Sequence, residues 1–136
     1  MSVLDSSALV ELVRRGPHAA WVAGWIDGAC TLHLADSEAV AALTGLVRGG
    51  VITRERASDA VRLIDDLPID RFPLHGLLGR TLQLSEAVAA YDAGYLALAE
   101  AIDEPLVTLD RRLARGAPRT IRVVTPPGDP APGAAT

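Results

Sequence analysis

The 136-residue chain has no lysine; all thirteen of its basic residues are arginines. Chemistry that needs a Lys is therefore excluded. This disfavours a phosphoacceptor domain, which also clusters acids above a parallel sheet. The single cysteine, Cys30, allows neither an internal disulfide nor a cysteine zinc motif, and a buried apolar role is expected of it. His18, His33 and His75 share no ligand-like spacing. That argues against a His-rich metal site and against a Ser or Cys nucleophile served by a His base. No apolar run is long enough to span a bilayer, because Arg, Asp or Glu keeps interrupting. The start of the chain lacks a basic leader, and Asp5 falls where the apolar part of a signal peptide would build. A cytoplasmic protein without a membrane partner is expected. The net charge of −4 argues against broad nonspecific nucleic-acid binding. It leaves nucleic acid open as a substrate, since bound cations reverse the sign of an acidic cleft.

What is present suffices for one core: 49% of residues are apolar, spread through a length that suits a single domain. Strands are expected at Val3-Leu4, Thr31–Leu34, Ile69–Phe72, Leu106–Asp110 and Ile121–Val124. Between them the spacing predicts helices. The first follows a cap at Ser6 or Ser7, and the second runs from His18 to Asp27. Others extend from Asp36-Ser37-Glu38 to about Arg48, from a Thr53 cap to Leu67, from Leu74 to Leu84, from Glu86 to Ile102, and from Arg111 to Arg115. Residues 125–136, rich in Pro, Gly and Ala, are expected to be a disordered tail, leaving residues 1–124 as the domain. Alternating strands and helices predict an α/β fold with three α/β/α layers and a mostly parallel central sheet of four to five strands.

Four carboxylates fall where such a sheet keeps its ligands. Asp5 and Asp110 each end an apolar strand. Glu38 begins the helix after the second strand. Asp92 lies in an Ala- and Leu-rich helix, where an unpaired carboxylate needs a proton, a partner or a cation. Each has a plainer explanation: Asp110 as a helix cap, Glu38 as a first-turn charge, Asp92 as part of a narrow polar strip. Together, three or four oxygen ligands suit Mg²⁺ or Mn²⁺.

The stretches carrying these acids resemble the motifs of PIN-domain ribonucleases, in particular the VapC toxins of VapBC toxin–antitoxin pairs. Val3-Leu4-Asp5-Ser6-Ser7-Ala8-Leu9 is similar to the first motif, Ala90 to Glu100 around Asp92 to the third, and Leu106 to Leu113 around Asp110 to the fourth. Glu38 falls at the second, although Asp36 is the alternative acid. Two positions depart from the pattern. Ala87 and Ala89 stand where the family often has Asn and then Ser or Thr, so Ser85 is expected to cap the helix carrying Asp92.

The resemblance implies a metal-dependent endoribonuclease that leaves 5′-phosphate and 3′-hydroxyl ends on a tRNA, rRNA or mRNA. Mg²⁺ (or Mn²⁺) would be held by Asp5 and Asp92, with Asp110 and Glu38 nearby or acting through water. Glu38 or Asp110 would help take the water's proton. Ser6 and Thr108 are candidates to support the acids. Arg111, Arg112 and Arg115 are candidates for the phosphate backbone. A VapB-like antitoxin is implied as partner, with Leu9, Leu12, Trp21, Trp25, Leu43 and Val47 as candidate groove residues; homodimerisation is implied too. The competing reading is a catalytically silent PIN-like protein- or RNA-binding module that keeps the acids only as caps and solvated charges.

Overall fold

A computed structural model describes residues 1–128. Five short strands form one all-parallel sheet: β1 (Ser2–Leu4), β2 (Ala29–Leu32), β3 (Asp70–Phe72), β4 (Leu106–Val107) and β5 (Val123–Val124), in the order β3-β2-β1-β4-β5. β1 is central, with Val3 opposite Cys30 on one side and Leu106 on the other. Val3, Leu4, Leu32, Leu106 and Val107 are completely buried, as apolar strands covered on both faces must be. The chain builds outward from β1 to β3, then crosses back to β4. That puts the topological switch point between β1 and β4, directly above Asp5.

The helices are α1 (Ser6–Val13), α2 (Ala19–Ala23), α3 (Leu34–Arg48), α4 (Arg54–Asp66), α5 (Leu78–Leu84), α6 (Ala90–Ile102) and α7 (Arg111–Gly116). α1 packs with α2, α3 and α4, while α6 packs with α5 and lies along β1, β2 and β4. Right-handed crossovers in opposite directions across the sheet put these two groups on opposite faces. Gly94 lets α6 settle: a Cβ there would meet Leu74 Cδ1 at 3.0 Å and Leu32 Cδ1 at 3.3 Å. The small residues around Asp92 thus admit neighbouring core side chains. No described helix is long and apolar enough to cross a membrane.

Several boundaries differ from the expected ones, each for a local reason. Asp5 itself caps α1, accepting from the Ala8 N–H at 2.9 Å, so neither Ser6 nor Ser7 is the cap. α2 is only Ala19–Ala23, ending at Gly24. β2 ends at Leu32, and α3 starts at Leu34, so Glu38 lies past the first turn and does not open the helix. The stretch 74–77 is a turn, with Gly76 at φ +93°, and α5 begins only at Leu78. Ser85 closes α5, its hydroxyl donating to the Leu82 carbonyl at 2.6 Å, and does not cap α6. α6 starts at Ala90 behind Ala89, which offers no side-chain cap. Thr53 caps α4 as expected, accepting from the Arg56 N–H at 3.1 Å. Within the expected tail, Pro126 is buried and its carbonyl accepts from Arg111 at 3.2 Å; residues 129–136 lie outside the described residues.

Two carboxylates, Glu11 and Asp36, are spent on architecture. Glu11, 6% exposed, accepts from Arg14 Nε at 3.0 Å and from the His18 N–H at 2.8 Å, tying the end of α1 to the start of α2. Gly16 makes room for it, since a Cβ there would lie 2.0 Å from Glu11 Oε1. Asp36 accepts from Arg71 Nε at 2.8 Å, while another nitrogen of that guanidinium donates to the Ile64 carbonyl at 3.1 Å. This clamp joins α3, α4 and β3.

Candidate active site

Asp5 leaves the central strand at the switch point with 3% of its surface exposed. Its Oδ1 accepts from the Ser7 hydroxyl at 2.6 Å and from the Ala8 N–H at 2.9 Å, and its Oδ2 accepts from the Thr108 hydroxyl. The hydroxyls are themselves held from β4's loop: Leu109 N–H donates to Ser7 Oγ at 2.9 Å, and Asp110 N–H to Thr108 Oγ1 at 3.0 Å. Thr108 thus supports Asp5 as expected, but the serine that does so is Ser7. A helix turns by 100° per residue, and with Asp5 as cap Ser7 points back to it. Among the described residues Ser6 makes no side-chain hydrogen bond to Asp5.

The other three acids come from separate elements at the same end of the sheet. Asp92 stands in the first turn of α6 and has no hydrogen-bond or ion-pair partner among the described residues. Glu38, on α3, accepts from the Tyr95 hydroxyl at 2.5 Å. Asp110 caps α7, its Oδ1 accepting from the Arg112 N–H at 2.8 Å and the Leu113 N–H at 3.3 Å. Its plainer role is therefore real, yet only one of its oxygens is used. Asp36 is occupied by Arg71, so Glu38 is the α3 acid that joins the others.

Electrostatics tie the cluster together. Burial pushes the Asp5 carboxyl up to about 6, and the nearby Asp92 charge pushes the same way, against the hydrogen bonds from Ser7, Thr108 and Ala8. Asp92 is raised by burial and then by the charges of Asp110 and Glu38. Every charge that perturbs these two acids is another carboxylate; no Arg or His offsets them. The donor set is all hard oxygen, which fits a divalent cation of the Mg²⁺ or Mn²⁺ class. Among the described residues no three His, Cys, Asp or Glu side chains form a ready-made metal cluster.

Around the cleft, Arg111, Arg112 and Arg115 are exposed on α7, with Arg111 already bonded to the Pro126 carbonyl. Tyr91, beside Asp92, is 71% exposed. The expected groove residues divide. Leu9 is buried in the core, because α1 is enclosed by the sheet and α3, while Leu43, also buried, forms part of the wall of a cavity between α3 and α4. Leu12, Trp21, Trp25 and Val47 are half-buried, the two indoles meeting edge to face at 6.3 Å. A separate cavity of about 470 Å³ lies between α3 and α4, lined by Val40, Val47, Ala57 and Val61, with Arg48 and Arg54 also at its wall.

Sequence reasoning missed Ser7 and Tyr95. Ser7 is adjacent to Ser6, the serine that the sequence points to. Tyr95 had a signal, three positions after Asp92 on the same helix face, but nothing local indicated Glu38 as its partner.

A family model described as PIN domain matches residues 2–117. Ribonuclease VapC12 of Mycobacterium tuberculosis is 38% identical over 120 residues, covering 85% of this chain and 91% of that relative. Among solved structures, PAE2754 from Pyrobaculum aerophilum superposes with a TM-score of 0.65 at 26% identity, covering 90% of this chain and 82% of the other. VapBC-5 from Mycobacterium tuberculosis, a member of the VapBC family of toxin–antitoxin systems, superposes with a TM-score of 0.56 at 19% identity, covering 91% and 97%. The latter likeness is one of fold.

Proposed function

The chain belongs to the PIN-domain family, with VapC ribonucleases among its relatives, and from that we propose that it is a metal-dependent endoribonuclease, the toxin of a toxin–antitoxin pair, restrained by a VapB-like antitoxin. The observation that carries this reading is the buried Asp5 carboxylate, which has the Asp92 charge beside it and no cation among the described residues. A silent module would gain nothing from it, since Asn or Ser caps a helix as well as Asp and carries no charge to bury.

Asp5 and Asp92 would hold the cation, Mg²⁺ or Mn²⁺, with Asp110 Oδ2 and Glu38 beside it. When bound, the ion supplies a water of lowered pKa and positive charge against the phosphate. The remaining work belongs to the protein. Ser7 and Thr108 fix the orientation of Asp5. The free oxygen of Glu38 accepts the proton of the attacking water. The water oxygen bonds to phosphorus, the bond to the 3′ oxygen breaks, and that oxygen takes a proton from solvent, leaving 5′-phosphate and 3′-hydroxyl ends. Arg112 and Arg115, whose side chains have no partner among the described residues, would hold flanking phosphates, and Arg111 would join them once it leaves the Pro126 carbonyl. For the antitoxin, the α3–α4 cavity offers an apolar floor with an arginine border, suited to a helical segment that ends in acidic residues.

Purified protein incubated with structured RNA and Mg²⁺ or Mn²⁺ tests the reading. Asp5→Asn and Asp92→Asn are expected to lower cleavage by about a hundredfold or more, the scale of losing electrostatic stabilisation at a reacting phosphate. Undiminished cleavage by both variants would sink it.

A further inference from the structure

We propose that Tyr95 is a positioning residue of the cleft: its hydroxyl fixes the Glu38 carboxylate by one oxygen and leaves the other to receive a proton. The proposal rests on the nuclease reading for its kinetic consequence, but its structural core does not.

Tyr95 is among the largest fully buried side chains, with 1% exposed. It lies three residues beyond Asp92 on α6, so the helix that delivers one acid also delivers the donor for another. Its hydroxyl donates to Glu38 Oε1 at 2.5 Å, across 57 positions of sequence. Among the described residues nothing else hydrogen-bonds or pairs with Glu38. The contrast with Asp5 is instructive, because that acid is held by Ser7, Ala8 and Thr108 together. Glu38 depends on one donor, and Glu is among the side chains with most rotamer freedom to lose.

The chemistry of the donor matters as much as its presence. A buried phenol needs a partner, and a Phe would fill the same space without one. An Arg in this place would neutralise Glu38 and compete with any cation. A phenol donates a hydrogen bond and brings no charge. Burial, and then the hydrogen bond and charge of Glu38, raise the Tyr95 pKa well above its ordinary value, so the hydroxyl keeps its proton throughout the working range. Tyr95 therefore orients Glu38 without bringing a positive charge to it.

Four proteins test this: wild type, Tyr95→Phe, Glu38→Gln and the double variant. Tyr95→Phe is expected to keep its circular dichroism and to lose kcat by roughly tenfold to a hundredfold with KM little changed, the scale of one hydrogen bond to a charged group. In the Glu38→Gln background the same change is expected to cost less than about twofold, because its partner is already gone. A simple structural role would instead lower both backgrounds equally, and that additivity overturns the proposal. A readout independent of RNA is the ¹³Cδ resonance of Glu38 in metal-free protein, assigned by its absence from Glu38→Gln. It is expected to shift in Tyr95→Phe, and an unmoved resonance overturns the proposal even where no RNA is cut by any of the four. Where Tyr95→Phe does not fold, Glu38→Asp withdraws the carboxylate from the phenol by one methylene. A wild-type kcat in that variant likewise overturns it.

Discussion

Asp5 serves two purposes that pull in opposite directions. As the cap of α1 it satisfies a helix N–H, and as a buried charge it destabilises the protein that carries it. Its folded pKa of about 6 stands above the unfolded value of 3.8. Between these two values the folded state binds more protons than the unfolded one, so the stability linked to Asp5 is fully present below about pH 4 and is lost as pH rises through about 6. Metal-free Asp5→Asn protein is therefore expected to be more stable than wild type at pH 7.5, by on the order of 3 kcal/mol at about 1.4 kcal/mol per pKa unit. The advantage should vanish near pH 4. Urea unfolding of both proteins in EDTA across this range checks it, and a less stable variant at pH 7.5 would contradict the burial cost. The meeting of Asp5, Asp92 and Asp110 at one end of the sheet was legible from the residues, since each interrupts an apolar stretch. The choice of Ser7 over Ser6 was not, because it turned on which residue caps α1.

At the scale of elements, α6 begins at the cleft without a side-chain cap. Its first turn carries Asp92, yet Ala89 at the cap position has no side-chain acceptor for the orphan N–H groups. The backbone of Ala89, at φ −59° and ψ 146°, is already extended as a cap residue should be. Ala89→Ser is expected to stabilise the protein by about 1 kcal/mol, read as a higher midpoint in chemical denaturation; no gain would mean that solvent or Asp92 already satisfies those groups. The alanines before Tyr91-Asp92 signalled this missing cap in the sequence. The compensation expected from Ser85 does not occur, because α5 ends there and uses the serine for its own last turn. Short elements were the hardest to delimit. β4 spans only Leu106–Val107, since Thr108 turns its hydroxyl to Asp5 and Asp110 begins the next helix. Local apolar pattern carries no information about either contact.

For the whole molecule, the alternation of strands and helices was enough to foresee a parallel sheet with a cleft above it. The order of the strands was not written in any one segment. It follows from the crossover after β3, which returns the chain to the far side of β1 and so brings Asp110 to Asp5. Tyr95 and Glu38 meet only because of that global arrangement, and for the same reason Asp36 is drawn away to Arg71. The cleft that results is an excess of negative charge stabilised by hydroxyls and backbone N–H groups.

Metal dependence of RNA cleavage tests this most directly. End-labelled structured RNA is incubated with protein stripped by EDTA, and then with excess Mg²⁺ or Mn²⁺ restored. The predicted result is no cleavage in EDTA, recovery on metal addition to products with 5′-phosphate and 3′-hydroxyl ends, and no recovery for Asp5→Asn. Cleavage that persists in EDTA, or products ending in cyclic phosphate, would contradict an acidic cleft working through a bound cation.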